Sequence, residues 1–186
     1  MESVKNNYEL SEIVINNSVS KNWKDAINEW YISNMNYVDD DETCICGKEG
    51  IKYCYEIKNI KNGNILYPIG SSCIKKFERE DLVLESEAYK VMYKIYKYYN
   101  SKGYKNYSMH AKNSSNENIF NRKIIEYFYD KEVFKSNKFS EEETYSFLID
   151  MFNKKSDLSE KQRKKVFANI KYNIIPYVNK IMKCNN

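Results

Sequence analysis

CICGKEGIKYCYEIKNIKNGNILYPIGSSCIKKF, residues Cys44 to Phe77, decides how this chain folds. Cys44 and Cys46 stand one residue apart and run into Gly47, where the chain is free to turn back. Ile51, Tyr53, Tyr55 and Ile57 then alternate with polar or small residues, the period of a strand with one apolar face. Asn62-Gly63 is a hairpin signal, because both residues tolerate positive φ in a tight turn. Ile65 to Ile69 supplies the return strand. After Gly70, Ser71 and Ser72 are placed to cap a helix whose first turn holds Cys73. A cysteine pair before a hairpin and a cysteine at the next helix start are the parts of a small zinc module.

Ligand chemistry supplies the reason. Zinc takes four borderline or soft donors in a tetrahedron, and thiolates serve it well. Amides in the turn after Cys46 can point at the sulfurs, and a helix N-terminus favours a thiolate at Cys73. The fourth donor is open on this reading. Cys54 is nearest in sequence, although alternation sets it opposite the Ile51/Tyr53/Tyr55/Ile57 face. His110, Cys184 and a water are the alternatives. The competing reading is a set of reduced cysteines without metal.

Working outward toward the N-terminus, residues 1–19 are polar with one apolar cluster at Ile13 to Ile15, open to strand, helix or arm. Trp23, Ala26, Ile27, Trp30, Tyr31 and Asn34 recur at helical spacing, and Ser20 precedes them as an N-cap. This predicts an amphipathic helix whose tryptophans pack on the cysteine module. Asp39 to Glu42 is expected to be a solvated acidic loop, since consecutive carboxylates repel.

Beyond Phe77, a charged connector leads to a boundary near Ser86. Ala88, Val91, Met92, Ile95 and Tyr99 then predict a helix over about 86–100, with Lys90, Lys94 and Lys97 on another face among tyrosines. Lysines interleaved with rings can bind nucleic acid, but they fit a solvated face with snorkelling stems better. Residues 101–116, with Gly103, read as a loop, and His110 as a surface histidine. Three capping boxes announce helices: Ser114 with Glu117, Ser140 with Glu143, and Ser159 with Gln162. Pro176 should kink or split the last helix. The expected fold is therefore α+β and mostly α. Residues 1–85 hold an N-terminal helix packed on a zinc-bound hairpin of treble-clef or zinc-ribbon type, and residues 86–186 form a helical bundle.

Composition bounds the function. The 186 residues carry 30 Lys and Arg against 26 Asp and Glu, a net charge of +4, which is too small to mark a nucleic-acid binder by itself. Eighteen tyrosines supply amphipathic rings suited to interfaces. There is no apolar run long enough for a membrane span and no leader-like apolar segment. Five cysteines in such a chain favour metal or free thiols over disulfides, so a cytoplasmic setting is expected. No internal repeat, phosphate-binding glycine loop or nucleophile motif is present. Three certain cysteines match the count of a catalytic zinc. Yet no Glu or His stands beside them as a general base, and the residues point away from an enzyme.

The segments CICGKEGIKYCYEIKN and NGNILYPIGSSCIKKF resemble a family of small zinc-containing proteins carried by phages and mobile elements of Gram-positive bacteria. YSFLIDMFNKK and SEKQRKKVFANI extend the resemblance more weakly, to about half the chain. Some small zinc-bearing phage proteins are anti-CRISPR proteins that bind a type II RNA-guided nuclease. The resemblance implies a structural zinc, a host protein or ribonucleoprotein partner, and action in the host cytoplasm. Cys54 stands where the pattern has an apolar residue. The alternative function is a nucleic-acid-binding accessory protein that uses the Lys/Tyr stripe and the basic tail.

Overall fold

The computed structural model describes residues 2–101, 106–135 and 140–183, with side chains from residue 9 to residue 182 within those ranges. The architecture is α+β. Helix α1 (Glu2–Asn16) and a single turn, α2 (Trp23–Ala26), lead through a 3-10 turn (Ile27–Glu29) into strand β1 (Trp30–Glu42). Strands β2 (Ile51–Asn59) and β3 (Ile65–Ile69) follow, then the short helix α3 (Ser71–Lys75). Helix α4 (Glu80–Asn100) is continuous over 21 residues. The remaining elements are α5 (Arg122–Asp130), α6 (Glu141–Asn153), α7 (Glu160–Asn169), a π-helical turn (Ile170–Ile174) and α8 (Ile175–Lys183). The chain forms two compact units that meet in sequence between Tyr89 and Lys90, within α4.

The first unit is built on a three-stranded antiparallel sheet in the order β1-β2-β3. The predicted hairpin is there, but it is two-thirds of a sheet. The third strand begins in residues expected to be helical, Trp30 to Asn34. Only Trp23–Ala26 is α-helical, and its cap is Asn22, whose side chain accepts the Asp25 amide, rather than Ser20. From Trp30 the chain is extended and pairs with β2, Trp30 opposite Asn59 and Tyr37 opposite Tyr53. Pairing overrides the helical spacing because it satisfies a whole row of backbone groups. The acidic run Asp39–Glu42 is likewise the end of β1 rather than a loop.

Residues 60–64 connect β2 to β3, and among them only Gly63 has positive φ, at 77°. The turn is thus wider than the two-residue Asn-Gly turn. The Asn59 side chain accepts the amides of Lys61 and Asn62 inside it. Trp23 packs its ring 5.4 Å from that of Phe77. Trp30 is buried and donates its indole N–H to Ser18 Oγ at 2.8 Å. Leu10 and Val14 of α1, Met35 of β1, Tyr55 and Ile57 of β2, Ile69, Ile74 and Phe77 complete the buried set.

Glu29 sits at the base of this unit, fully buried. Burial alone would oppose its charge. The Ser20 hydroxyl, the Asn59 side-chain amide and the amides of Val19 and Ser20 all donate to it, so its pKa lies well below the carboxylate range. Lys61 adds an ion pair at 3.1 Å. The residue expected to cap a helix, Ser20, instead serves this carboxylate.

In the second unit the helical bundle is built on α5 against α6 and α6 against α7. Ile95, Met109, Phe120, Phe128, Phe134, Leu148 and Val166 are among its buried side chains. Both later capping boxes form, Ser140 with Glu143 and Ser159 with Gln162. The box at Ser114 does not. Asn113 accepts the amides of Ser115 and Glu117, which closes a turn, and helix α5 begins only at Arg122 under an Asn121 cap. Pro176 follows the π-helical turn at Ile170–Ile174 and lies in the first turn of α8, so the helix is interrupted just before it. A proline lacks the amide that an α-helix needs, and one widened turn upstream absorbs the misfit. Residues 102–105, and with them Gly103, lie outside the described residues. No described helix is long and apolar enough to cross a membrane.

Candidate metal centre

The cluster is assembled from two segments. Cys44 and Cys46 lie in the loop after β1, where Cys44 N–H donates to the Lys48 carbonyl at 2.9 Å and Gly47 N–H to the Cys44 carbonyl at 2.8 Å. Gly47 holds φ 81°, so the tight loop needs glycine at this position. Its Cα faces the Glu9 carboxylate of α1, with Oε2 3.2 Å from where a Cβ would stand. Ile45 N–H donates to the Pro68 carbonyl at 2.9 Å, fixing the loop to β3. Cys73 enters from the first turn of α3. The cap of that helix is Gly70, with no side-chain bond, so Ser71 and Ser72 are helical residues rather than caps.

All three thiols are buried, and their sulfurs lie within 4.8 Å of one another. The Cys44–Cys73 separation is 3.6 Å and the Cys46–Cys73 separation 3.2 Å. Those gaps exceed a disulfide bond, at about 2.05 Å, and the cysteines are free. Zinc–sulfur bonds of about 2.3 Å in a tetrahedron place sulfurs about 3.8 Å apart. The three side chains therefore fit a thiophilic metal with adjustments of about 1 Å or less. Gly70 N–H donates to Cys44 Sγ at 3.4 Å. A Cβ on Gly70 would stand 2.9 Å from the Cγ2 of Ile51.

Electrostatics favour a thiolate in the cluster. The Cys73 thiol beside Cys44, with the amides of Cys46 and Gly70, outweighs burial and lowers the Cys44 pKa to about 5. Cys73 is pushed up by its hydrogen bond with Cys44 and by burial. A divalent cation would remove that conflict by taking all three as thiolates.

Cys54 is not brought into the cluster. It is buried on β2 opposite Asn36, and burial with the charges of Glu42 and Cys44 nearby raises its pKa, which suits a neutral thiol. Strand alternation is the physical reason: it sets Cys54 on the face of β2 opposite Ile51, Tyr53, Tyr55 and Ile57. His110 belongs to the second unit, where its ring stacks on Phe152 at 5.7 Å. Cys184 lies outside the described residues. Among the described residues, no fourth Cys, His, Asp or Glu joins the three at that distance. A cavity of about 290 Å³ reaches the cluster, with Cys44 and Cys73 in its wall beside Lys48, Lys52, Tyr53 and Ser72.

Sequence reasoning found the three thiols but missed the Gly70 amide. A Gly before a helix-borne cysteine was visible in the sequence. No protein-family model matches this chain, and neither a curated protein nor a solved structure is similar to it.

Proposed function

We propose that this chain is a non-enzymatic binding protein whose first unit is held by a structural Zn2+ at Cys44, Cys46 and Cys73. On this reading it is phage-encoded and inhibits a type II RNA-guided nuclease of the host by protein contact. The observation that carries the metal assignment is the buried three-thiol cluster. The partner comes from the resemblance of the cysteine segment to small zinc proteins of phages.

The surface of the first unit is compatible with a protein partner. Tyr31 of β1 aligns with Lys58 of β2, and Lys58 with Ile65 of β3, in one row across the sheet. Tyr31 is 40 % exposed, Ile65 53 % and Tyr67 41 %. Exposed tyrosines are among the side chains enriched in protein-binding patches.

The nucleic-acid alternative keeps one observation of its own. The second unit has a cleft of about 890 Å³ walled by Tyr107, His110, Phe152 and Phe167 with Lys154, Lys155 and Arg163. The Lys/Tyr stripe of α4 supports it less, since Lys94 is paired with Glu117 at 3.0 Å and Lys97 lies over the Tyr93 ring.

Binding to a type II nuclease–guide complex, to duplex DNA and to single-stranded RNA, each at low and at physiological salt, separates the two. Lysine–phosphate binding releases counterions and falls steeply with salt, whereas an aromatic protein contact does so much less. Tight, salt-tolerant binding to the nuclease complex is expected. Submicromolar nucleic-acid binding at physiological salt without affinity for that complex favours the alternative.

A further inference from the structure

We propose that the metal centre keeps its fourth coordination position open to the adjoining cavity and there takes an exogenous thiolate, supplied by a low-molecular-weight thiol. The inference rests on the metal reading above and specifies what that reading leaves open.

Three sulfurs fix three vertices of a tetrahedron, and the fourth donor must approach from outside their triangle. Among the described residues no further Cys, His, Asp or Glu stands at ligand distance. The cavity of about 290 Å³ is bounded by two of the three ligand residues, Cys44 and Cys73, so it gives a route to the metal. Its volume exceeds the roughly 30 Å³ share of one water, which leaves room for a small organic ligand.

The lining selects the ligand's charge. Lys48 and Lys52 contribute cations, Ser71, Ser72 and Tyr53 contribute hydroxyls, and no carboxylate lines the cavity. A divalent metal with three thiolates carries one net negative charge. A fourth anion raises that to two, which the two lysines offset. A centre already rich in sulfur prefers a soft donor, so a thiolate outcompetes water and carboxylate. The exchange needs no oxidant: the incoming thiol gives its proton to solvent, its sulfur bonds to the metal, and the bound water leaves.

Cobalt(II) substituted into the full chain tests this, because sulfur-to-cobalt charge-transfer absorption counts bound thiolates. The expected result is a three-sulfur spectrum that rises saturably to a four-sulfur one on titration with 2-mercaptoethanol. Cys54→Ala and Glu9→Gln should leave both spectra unchanged. Lys48→Glu with Lys52→Glu should raise the half-saturating thiol concentration about tenfold, the factor that corresponds to 1.4 kcal/mol. A four-sulfur spectrum before any thiol is added, falling to three in Cys54→Ala, would overturn the inference while sparing the metal reading. So would a spectrum altered by Glu9→Gln, an insensitivity to thiol, or stripping of the metal by it. Failure to take up cobalt or zinc at all would overturn both.

Discussion

The side-chain amide of Asn59 donates to Glu29 at 2.9 Å, tying the last residue of β2 to the turn that launches β1. Two segments that are 30 residues apart thus share one buried carboxylate. Glu29→Ala strands the Asn59 amide and the Val19 and Ser20 backbone donors, and unsatisfied buried groups cost about 1–3 kcal/mol each. The expected loss is about 3 kcal/mol, read from a urea titration.

The same carboxylate makes stability depend on pH. In the unfolded chain a glutamate titrates near about 4.3, and in the folded protein Glu29 titrates well below that range. Its stabilisation is complete above the unfolded value and is lost as pH falls toward the folded one. Wild type should therefore lose stability more steeply than Glu29→Gln as pH drops below about 4. Parallel curves for the two proteins would refute the assignment.

Removing a thiol of the cluster should release the metal and unfold the first unit early. Cys46→Ser and Cys73→Ser should each lose zinc by elemental analysis and melt on the order of 10 °C lower, since structural metal binding is folding energy. Cys54→Ser should keep its zinc. A Cys73→Ser protein with full zinc content and unchanged melting would count against the centre.

Gly70 offers a test that leaves every thiol in place. An alanine there meets Ile51 Cγ2 at 2.9 Å, so either the Ile51 side chain or the amide that faces Cys44 Sγ must shift. Gly70→Ala is expected to cost about 1–3 kcal/mol, as overpacking does. Its zinc should also be stripped by a chelator faster than wild type's.

The three serines of the capping motifs should differ. Ser140→Ala and Ser159→Ala each remove a hydroxyl that accepts an N3 amide, with an expected cost of about 1 kcal/mol. Ser114→Ala should change stability by less than about 0.5 kcal/mol, because Asn113 already holds the amides there. Thermal melts of the three variants measure this directly.

These contrasts mark what was legible in the sequence. The Cys44–Phe77 segment was read correctly where local chemistry decides: two strands, a turn, and a cysteine on a short helix. The Ser140 and Ser159 boxes were legible because a helix follows each directly, whereas the same four-residue pattern at Ser114 misled, since Asn113 takes the amides there and closes a turn. The first strand was not. Its alternation is broken between Ile32 and Asn34, where Ser33 turns its hydroxyl to Glu56. The helical spacing of Trp23, Ala26, Ile27, Trp30 and Tyr31 runs across a helical turn, a 3-10 turn and the start of the strand, so it marks no single element. What makes Trp30–Glu42 extended is a partner strand that begins 21 residues after Trp30, and no local pattern carries that information. The centre was legible for Cys44, Cys46 and Cys73 because spacing names them. The position of Cys54 outside the cluster depends on how β2 lies against β1.

Cys46 and Cys73, whose sulfurs nearly touch, are 27 residues apart, and the strands β2 and β3 lie wholly between them. A cation gripping both would act as a removable clasp around the hairpin, unlike a covalent bridge, because its grip follows mass action. Each tenfold change in free metal above the dissociation constant would shift the stability of the clasped form by about 1.4 kcal/mol. The hairpin's persistence would then track the supply of metal around it, with the surroundings setting how long the first unit stays folded.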